Sequence, residues 1–203
     1  MKIGVFGGAF NPVHNGHINL AKKYIELLNP DKILIIPTAN PPHRENNNFV
    51  ADYHRFNMLR LAFENEKNIE ISDIEFKIEG KSYTCNTVCE IEKQYENADI
   101  YLIVGEDQFL YFDKWYNWQK LLQKVTLCTA ERNKDKACKM RAFAANVLKT
   151  DKYILADFDP VVVSSSEIRE KLYNNESVDR LIPEKVLNYI NENELYGREN
   201  KCI

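Results

Sequence analysis

Two histidines three residues apart, His14 and His17, enclose Gly16 directly after the turn Gly7-Gly8-Ala9-Phe10-Asn11-Pro12-Val13. Residues three apart at a helix start lie on one face. Both imidazoles can therefore aim at one point, beside the free N–H groups and positive dipole end of a helix. An imidazolium is a compact donor to phosphate oxygens. Gly7 and Gly8 carry no Cβ, so a phosphate can approach their backbone closely. The chemistry expected is the holding of a triphosphate and the stabilisation of charge on a transferring nucleotidyl group. The alternatives are two ordinary loop histidines or part of a metal site, although zinc would need further ligands nearby in sequence. The turn is not a dinucleotide fingerprint, because Gly4, Gly7, Gly8 and Gly16 have the wrong spacing. It is not a P-loop either, since no Gly-Lys-Ser or Gly-Lys-Thr ends it.

Such a turn needs a strand before it and a helix after it. Lys2-Ile3-Gly4-Val5-Phe6 reads as the strand, and Ile18 to Ile25 as the helix. The alternation continues. Lys32 to Pro37 and Ile100 to Gly105 are continuous apolar runs, as for strands buried on both faces. Ile69-Glu70-Ile71, Val125 to Thr129 and Tyr153-Ile154-Leu155 are further strand candidates, and Phe76-Lys77-Ile78 is expected to extend the sheet edge. Helices are expected from Asp52 (Phe56, Leu59 and Phe63 on one stripe), from Asn86 to Tyr95 with Ser82 or Thr84 as cap, and from Asp135 to Lys149. Two more open at Ser165-Ser166-Glu167 and at Pro183-Glu184-Lys185, with Pro183 as the first helical residue. An aromatic-rich stretch, Phe109 to Trp118, lies between two strands. The fold class is α/β: a doubly wound, Rossmann-like parallel sheet with a small C-terminal helical part, about 164–203, within one domain over 1–203.

Composition narrows the function. With 27 basic and 30 acidic residues, the net charge is −3 and no basic stripe is evident, so extended nucleic-acid binding is not expected. The N-terminus lacks the apolar core of a signal peptide, and no apolar run spans a bilayer, so no membrane partner is expected. Cys85, Cys89, Cys128, Cys138 and Cys202 match no disulfide or zinc framework. They read as reduced thiols of a cytoplasmic protein. A homo-oligomer is compatible with the sequence.

The first turn resembles the Gly-Gly-x-Phe-Asp/Asn-Pro-x-His-x-Gly-His signature of the nucleotidyltransferase superfamily. Further segments match, in order, the bacterial nicotinate-nucleotide adenylyltransferases within it. They are Pro41-Pro42-His43-Arg44, Ser82-Tyr83-Thr84, Gly105-Glu106-Asp107 with Trp115-Tyr116, Ser164-Ser165-Ser166-Glu167-Ile168-Arg169, Leu181 to Ile190, and Leu195-Tyr196. The resemblance spans nearly the whole chain. It implies adenylyl transfer from ATP to nicotinate mononucleotide, giving deamido-NAD and pyrophosphate, by direct attack of the mononucleotide phosphate on the α-phosphorus. Magnesium on the phosphates is implied as cofactor, held mainly by the phosphates, with no protein metal ligands.

The resemblance also assigns roles. His14, His17 and Arg169 would be the catalytic groups. ATP would be held by Gly7, Gly8, Ala9 and Phe10, by both histidines, by Gly105 and Asp107 at a ribose, and by Ser165, Ser166 and Arg169 at the β- and γ-phosphates. Trp115 would stack on the pyridine ring, although read alone it is a core aromatic. Thr84 and Tyr116 would serve the nicotinate carboxylate. Asn40, His43 and Arg44 would reach the mononucleotide phosphate from a polar loop, residues 39–50, that is expected to close over it. His54 has no family role and reads as a surface residue.

Three departures from the pattern stand out: Asn11 for the commoner Asp, Asn86 after Ser-Tyr-Thr-Cys, and Thr129 to Lys134 where Arg-Pro-Gly is usual, with Arg132 as a substitute. The alternatives are a preference for nicotinamide mononucleotide, another phosphorylated acceptor, or a nucleotide-binding regulatory protein without activity.

Overall fold

The computed structural model describes residues 1–41, 49–131, 134–158 and 161–197. Its centre is a six-stranded sheet: β1 (Lys2–Gly8), β2 (Lys32–Pro37), β3 (Ile69–Ile71), β4 (Asp99–Ile103), β5 (Val125–Glu131) and β6 (Tyr153–Asp157). All neighbours run parallel, in the order β3-β2-β1-β4-β5-β6. Parallel strands need crossovers, and helices supply them: α1 (Asn15–Leu28), α2 (Asp52–Ala62), α3 (Thr84–Gln94), α4 (Glu106–Leu110), α5 (Trp118–Lys124) and α6 (Lys134–Phe143). The chain closes with α7 (Ser165–Tyr173) and α8 (Glu184–Glu192).

The strand order reverses direction between β1 and β4. In sheets of this kind the crevice beyond the carboxyl ends at that reversal is where ligands bind. The first turn, at the end of β1, stands there.

Alternation along β1 divides the core. Ile3 and Val5 face α3 and α5 through Val88, Ile91 and Leu121. Phe6 faces α1, α2 and α8 through Leu20, Tyr24, Leu59 and Ile190. The second face also takes in Ile168 of α7 and Leu195, which ties the C-terminal helices to the sheet.

Several local expectations are corrected. Phe76-Lys77-Ile78 does not extend the sheet: Ile74–Lys77 is a single 3-10 turn. The turn buries Glu75, whose carboxylate needs donors that an edge strand would not bring to it. The third helix begins at Thr84, with Tyr83 at its cap and no capping side chain. Ser82 is otherwise engaged, since its Oγ accepts from the Asn40 N–H at 2.9 Å. The helix expected over Asp135–Lys149 is α-helical only to Phe143 and then widens into a π turn, Ala144–Leu148. Pro183 is the cap of α8 rather than its first helical residue. His54 is half-buried, and its Nδ1 lies 2.9 Å from the Tyr189 hydroxyl of α8, so it belongs to a helix contact.

Candidate active site

The turn between β1 and α1 is built by capping. His14 sits at the N-cap in extended conformation, and its Nδ1 accepts from the His17 N–H at 3.4 Å. His17, at the third helical position, reciprocates: its Nδ1 accepts from the His14 N–H at 3.3 Å. This is a capping box made by two imidazoles. The pairing stacks the rings 3.6 Å apart at 21°. The edge of Phe10 braces His17 at 4.9 Å.

The box fixes the tautomers. A ring nitrogen that accepts a hydrogen bond carries no proton, so in each neutral imidazole the proton is on Nε2. Burial holds the His14 pKa down to about 4, and burial followed by the charge of His14 holds His17 well below its usual value. The expectation of imidazolium donors is thereby corrected. In the unliganded protein at neutral pH both side chains are neutral Nε2–H donors. Two stacked cations without a counter-charge would repel.

The carbonyls of the turn are engaged by other parts of the fold. Gly8 O accepts from the Thr38 N–H at 2.8 Å. Ala9 O accepts from Arg55 Nη1 at 2.9 Å, Asn11 O from Arg169 Nη1 at 2.7 Å, and Pro12 O from Ser165 Oγ at 2.9 Å. With these acceptors used, the turn is left presenting N–H donors, the polarity an anion needs.

The glycines divide the work. A Cβ on Gly7 would meet nothing within 4 Å among the described residues, so its bare backbone is open to a ligand there. A Cβ on Gly8 would lie 3.0 Å from the Phe10 ring. Gly8 thus also makes room for Phe10, while its backbone stays in the cleft lining. A Cβ on Gly16 would lie 2.9 Å from Val161 O and 3.1 Å from His14 Nδ1, so Gly16 lets the β6–α7 connection pack against the histidine box.

Helix α7 opens at the same crevice. Ser164 caps it by accepting from the Glu167 N–H at 3.1 Å. Because the Ser165 hydroxyl is given to Pro12 O, its contribution to a ligand is its backbone N–H. Ser166 Oγ accepts from Arg169 Nη2 at 3.1 Å and keeps its own proton to give. Across the crevice, the Asp107 carboxylate folds over Gly105, where a Cβ would lie 2.8 Å from Asp107 Oδ1. Asp107 is exposed and offers acceptor oxygens of the kind ribose hydroxyls require.

All of this lines one cleft of about 740 Å³, a size suited to small-molecule ligands. Gly7, Gly8, Ala9, Phe10, His14, His17, Gly105, Asp107, Ser165, Ser166 and Arg169 meet there with Thr84, Trp115 and Tyr116. Trp115 is half-buried and its ring centre lies 5.2 Å from that of Phe112. Tyr116 lies against Tyr83 at 4.3 Å. Asn40 is not among the lining residues; its side chain donates to Gly80 O at 3.2 Å and ties two loops together. His43, Arg44 and Arg132 lie outside the described residues. Among those described, no group of three or more His, Cys, Asp or Glu is placed to hold a metal ion.

Four participants escaped the sequence reading. Arg55 is fully buried, donates to Ala9 O and pairs with Asp52, and lies over the Phe49 ring at 5.3 Å. Its signal was a charge on the apolar stripe of α2, one helical turn from Leu59. Glu75 lines the cleft and accepts from the Thr87 hydroxyl at 2.9 Å and the Ala39 N–H at 3.3 Å. Burial pushes its carboxyl pKa up against these donors. Thr129 is fully buried in the cleft wall, and its hydroxyl has no partner among the described residues. Tyr196 donates to Asn11 Oδ1. No local pattern marked Glu75, Thr129 or the Tyr196 contact.

Comparison with known proteins now decides the family. The cytidylyltransferase-like family profile matches residues 5–171. A Bacillus subtilis protein named nicotinate-nucleotide adenylyltransferase is 34% identical over 195 residues, 96% of this chain and 98% of its own length. A Borrelia garinii protein named "probable nicotinate-nucleotide adenylyltransferase" is 38% identical over 203 residues, 100% of this chain and 98% of its own. This chain belongs to the nicotinate-nucleotide adenylyltransferase family. The fold agrees. The Plasmodium falciparum nicotinic acid mononucleotide adenylyltransferase complexed with NaAD superposes with a TM-score of 0.79 at 20% identity, covering 96% of this chain and 97% of that one. Within this family the cleft is the candidate active site, and the starts of α1 and α7 both line it.

Proposed function

We propose that this member of the family transfers the adenylyl group of ATP to nicotinate mononucleotide, giving deamido-NAD and pyrophosphate. One observation carries the reading of the site: the starts of α1 and α7, with their histidines, serines and arginine, converge in the same cleft as the Trp115 and Thr84 wall. One end suits a triphosphate and the other an aromatic acid.

The reaction forms a bond from a mononucleotide phosphate oxygen to the α-phosphorus and breaks the bond to the β-phosphate, so pyrophosphate leaves with its electron pair. A phosphate dianion is already a competent nucleophile. The protein's tasks are alignment and charge stabilisation. His14 and His17 donate from Nε2 to the phosphates, with His17 at the α-phosphate. Ser166, Arg169 and the N–H of Ser165 hold the β- and γ-phosphates, and Asp107 accepts from a ribose. Trp115 stacks on the pyridine. The Thr84 N–H, first in α3, favours a carboxylate over an amide there. Asn40, His43 and Arg44 serve the mononucleotide phosphate in this reading; the Asn40 side chain also donates to Gly80 O.

Magnesium in this reading is carried mainly by the phosphate oxygens, hard ligands of the kind it prefers. When bound it offsets phosphate charge. The reading takes residues 1–203 as one domain, since both core clusters pack on one sheet and the cluster on one face runs from Phe6 to Leu195. It places the protein in the cytoplasm, supported by free thiols at Cys85, Cys89, Cys128 and Cys138. No helix among the described residues is long and apolar enough to cross a membrane.

The test is pyrophosphate release from ATP and magnesium with each pyridine mononucleotide in turn. Release is expected with the acid and, much more slowly, with the amide. No release with either refutes the reading.

A further inference from the structure

The Leu195-Tyr196 segment at the C-terminal end has no part in the chemistry above, yet it reaches the catalytic turn. Tyr196 follows α8 in left-handed backbone conformation, at a φ of 64°. Its hydroxyl donates to Asn11 Oδ1 at 2.7 Å. Asn11 is fully buried, and the same Oδ1 accepts from the Val50 N–H at 3.3 Å, two residues before α2. The backbone carbonyl of Asn11 takes Arg169 Nη1. One residue of the first turn therefore gathers contacts from three distant stretches of chain. The phenol stands near both Arg55 and Arg169, and burial keeps it protonated, so it remains a donor across the working pH range.

We propose that Tyr196 is a positioning residue for adenylyl transfer: its hydroxyl, through Asn11, holds the β1–α1 turn in the register that aims the two histidines and the turn's N–H groups at the triphosphate. This rests on the reading of that turn as the phosphate site. The contact is short, its acceptor is excluded from water, and Asn11 lies three residues before His14. A turn fixed at Ala9, Asn11 and Pro12 by other elements moves when one fixture is removed. A shift of the donors weakens alignment in the transition state more than it weakens binding of either substrate.

The experiment is Tyr196→Phe, which keeps the ring and removes one oxygen. Leu148→Ala, in the core across the sheet, serves as a stability control. The kcat of Tyr196→Phe is expected to fall about tenfold, the order of one neutral hydrogen bond, with both KM values within about twofold. Leu148→Ala is expected to lower the thermal midpoint at least as much and, assayed where it is fully folded, to keep its kcat. An unchanged kcat in Tyr196→Phe overturns the proposal. So does a loss of rate in both variants that follows their loss of stability, or an effect confined to the ATP KM. His17→Ala separates the two readings: if it is impaired while Tyr196→Phe is not, only the positioning role fails. If it turns over normally, the phosphate reading fails as well.

Discussion

Replacing His17 by Asn and by Ala separates the two jobs its imidazole performs. The ring accepts from the His14 N–H through Nδ1 at 3.3 Å, which closes the capping box, and it offers Nε2–H to the ligand. An asparagine places Oδ1 near the site of Nδ1, so the Asn variant keeps the cap and loses only the outer donor; the Ala variant loses both. Removing one preorganised donor to developing charge lowers kcat by about 10²-fold or more, or roughly 2.7 kcal/mol of transition-state stabilisation. Losing a cap adds about 1 kcal/mol of instability, which for a chain of this size is about 2–4 °C in thermal midpoint. Steady-state pyrophosphate release, beside thermal unfolding followed by circular dichroism, gives both quantities. The two variants should share the loss in kcat and differ in midpoint. An Asn variant with normal kcat refutes the donor role, and an Ala variant as stable as the wild type refutes the capping role.

Other outcomes follow from the same geometry. Trp115→Ala should raise the mononucleotide KM about fivefold and leave the ATP KM nearly unchanged, since a stacking contact of about 1 kcal/mol is lost; an effect on ATP alone contradicts the stacking assignment. Gly16→Ala sets a methyl 2.9 Å from Val161 O and 3.1 Å from His14 Nδ1. It should cost about 1–3 kcal/mol of stability in urea unfolding and slow turnover by displacing the box. The low His14 pKa makes stability depend on pH. Folded His14, at about 4, binds fewer protons than unfolded histidine at 6.5, so its contribution is complete above about pH 6.5 and is lost as pH falls towards 4. Between about pH 7 and pH 5.5 the wild type should lose about 1 kcal/mol more than His14→Asn. Equal losses would exclude the shift.

The parts of the fold legible in the sequence are those encoded by local pattern. Ile33 to Pro37 is apolar throughout because β2 is covered on both faces. The spacing of His14 and His17 showed a shared face because three residues is close to one helical turn. The parts that were not legible depend on partners far away in sequence. Phe76-Lys77-Ile78 alternates as an edge strand does, but the turn is set by the buried carboxylate of Glu75 and its donors Thr87 and Ala39. Ser82 and Thr84 have capping side chains, yet Ser82 is drawn to Asn40. Arg55 and Tyr196 meet the first turn through a backbone carbonyl and a side-chain amide, and sequence spacing does not reveal which carbonyl is within reach. The protonation of the histidines was misread for the same reason: charge depends on burial, which is a property of the assembled site.

The reciprocal cap between His14 and His17 has a consequence for how ATP is received. Each ring already carries its proton on Nε2, so a second proton can enter only at Nδ1, the atom that accepts the other residue's backbone N–H. Charging either imidazole therefore breaks the cap that aims it, and the triphosphate is received by neutral donors. Near pH 8 the heat of ATP binding measured calorimetrically should not change with the ionisation enthalpy of the buffer. A dependence on the buffer would mean that the cap opens as ATP binds.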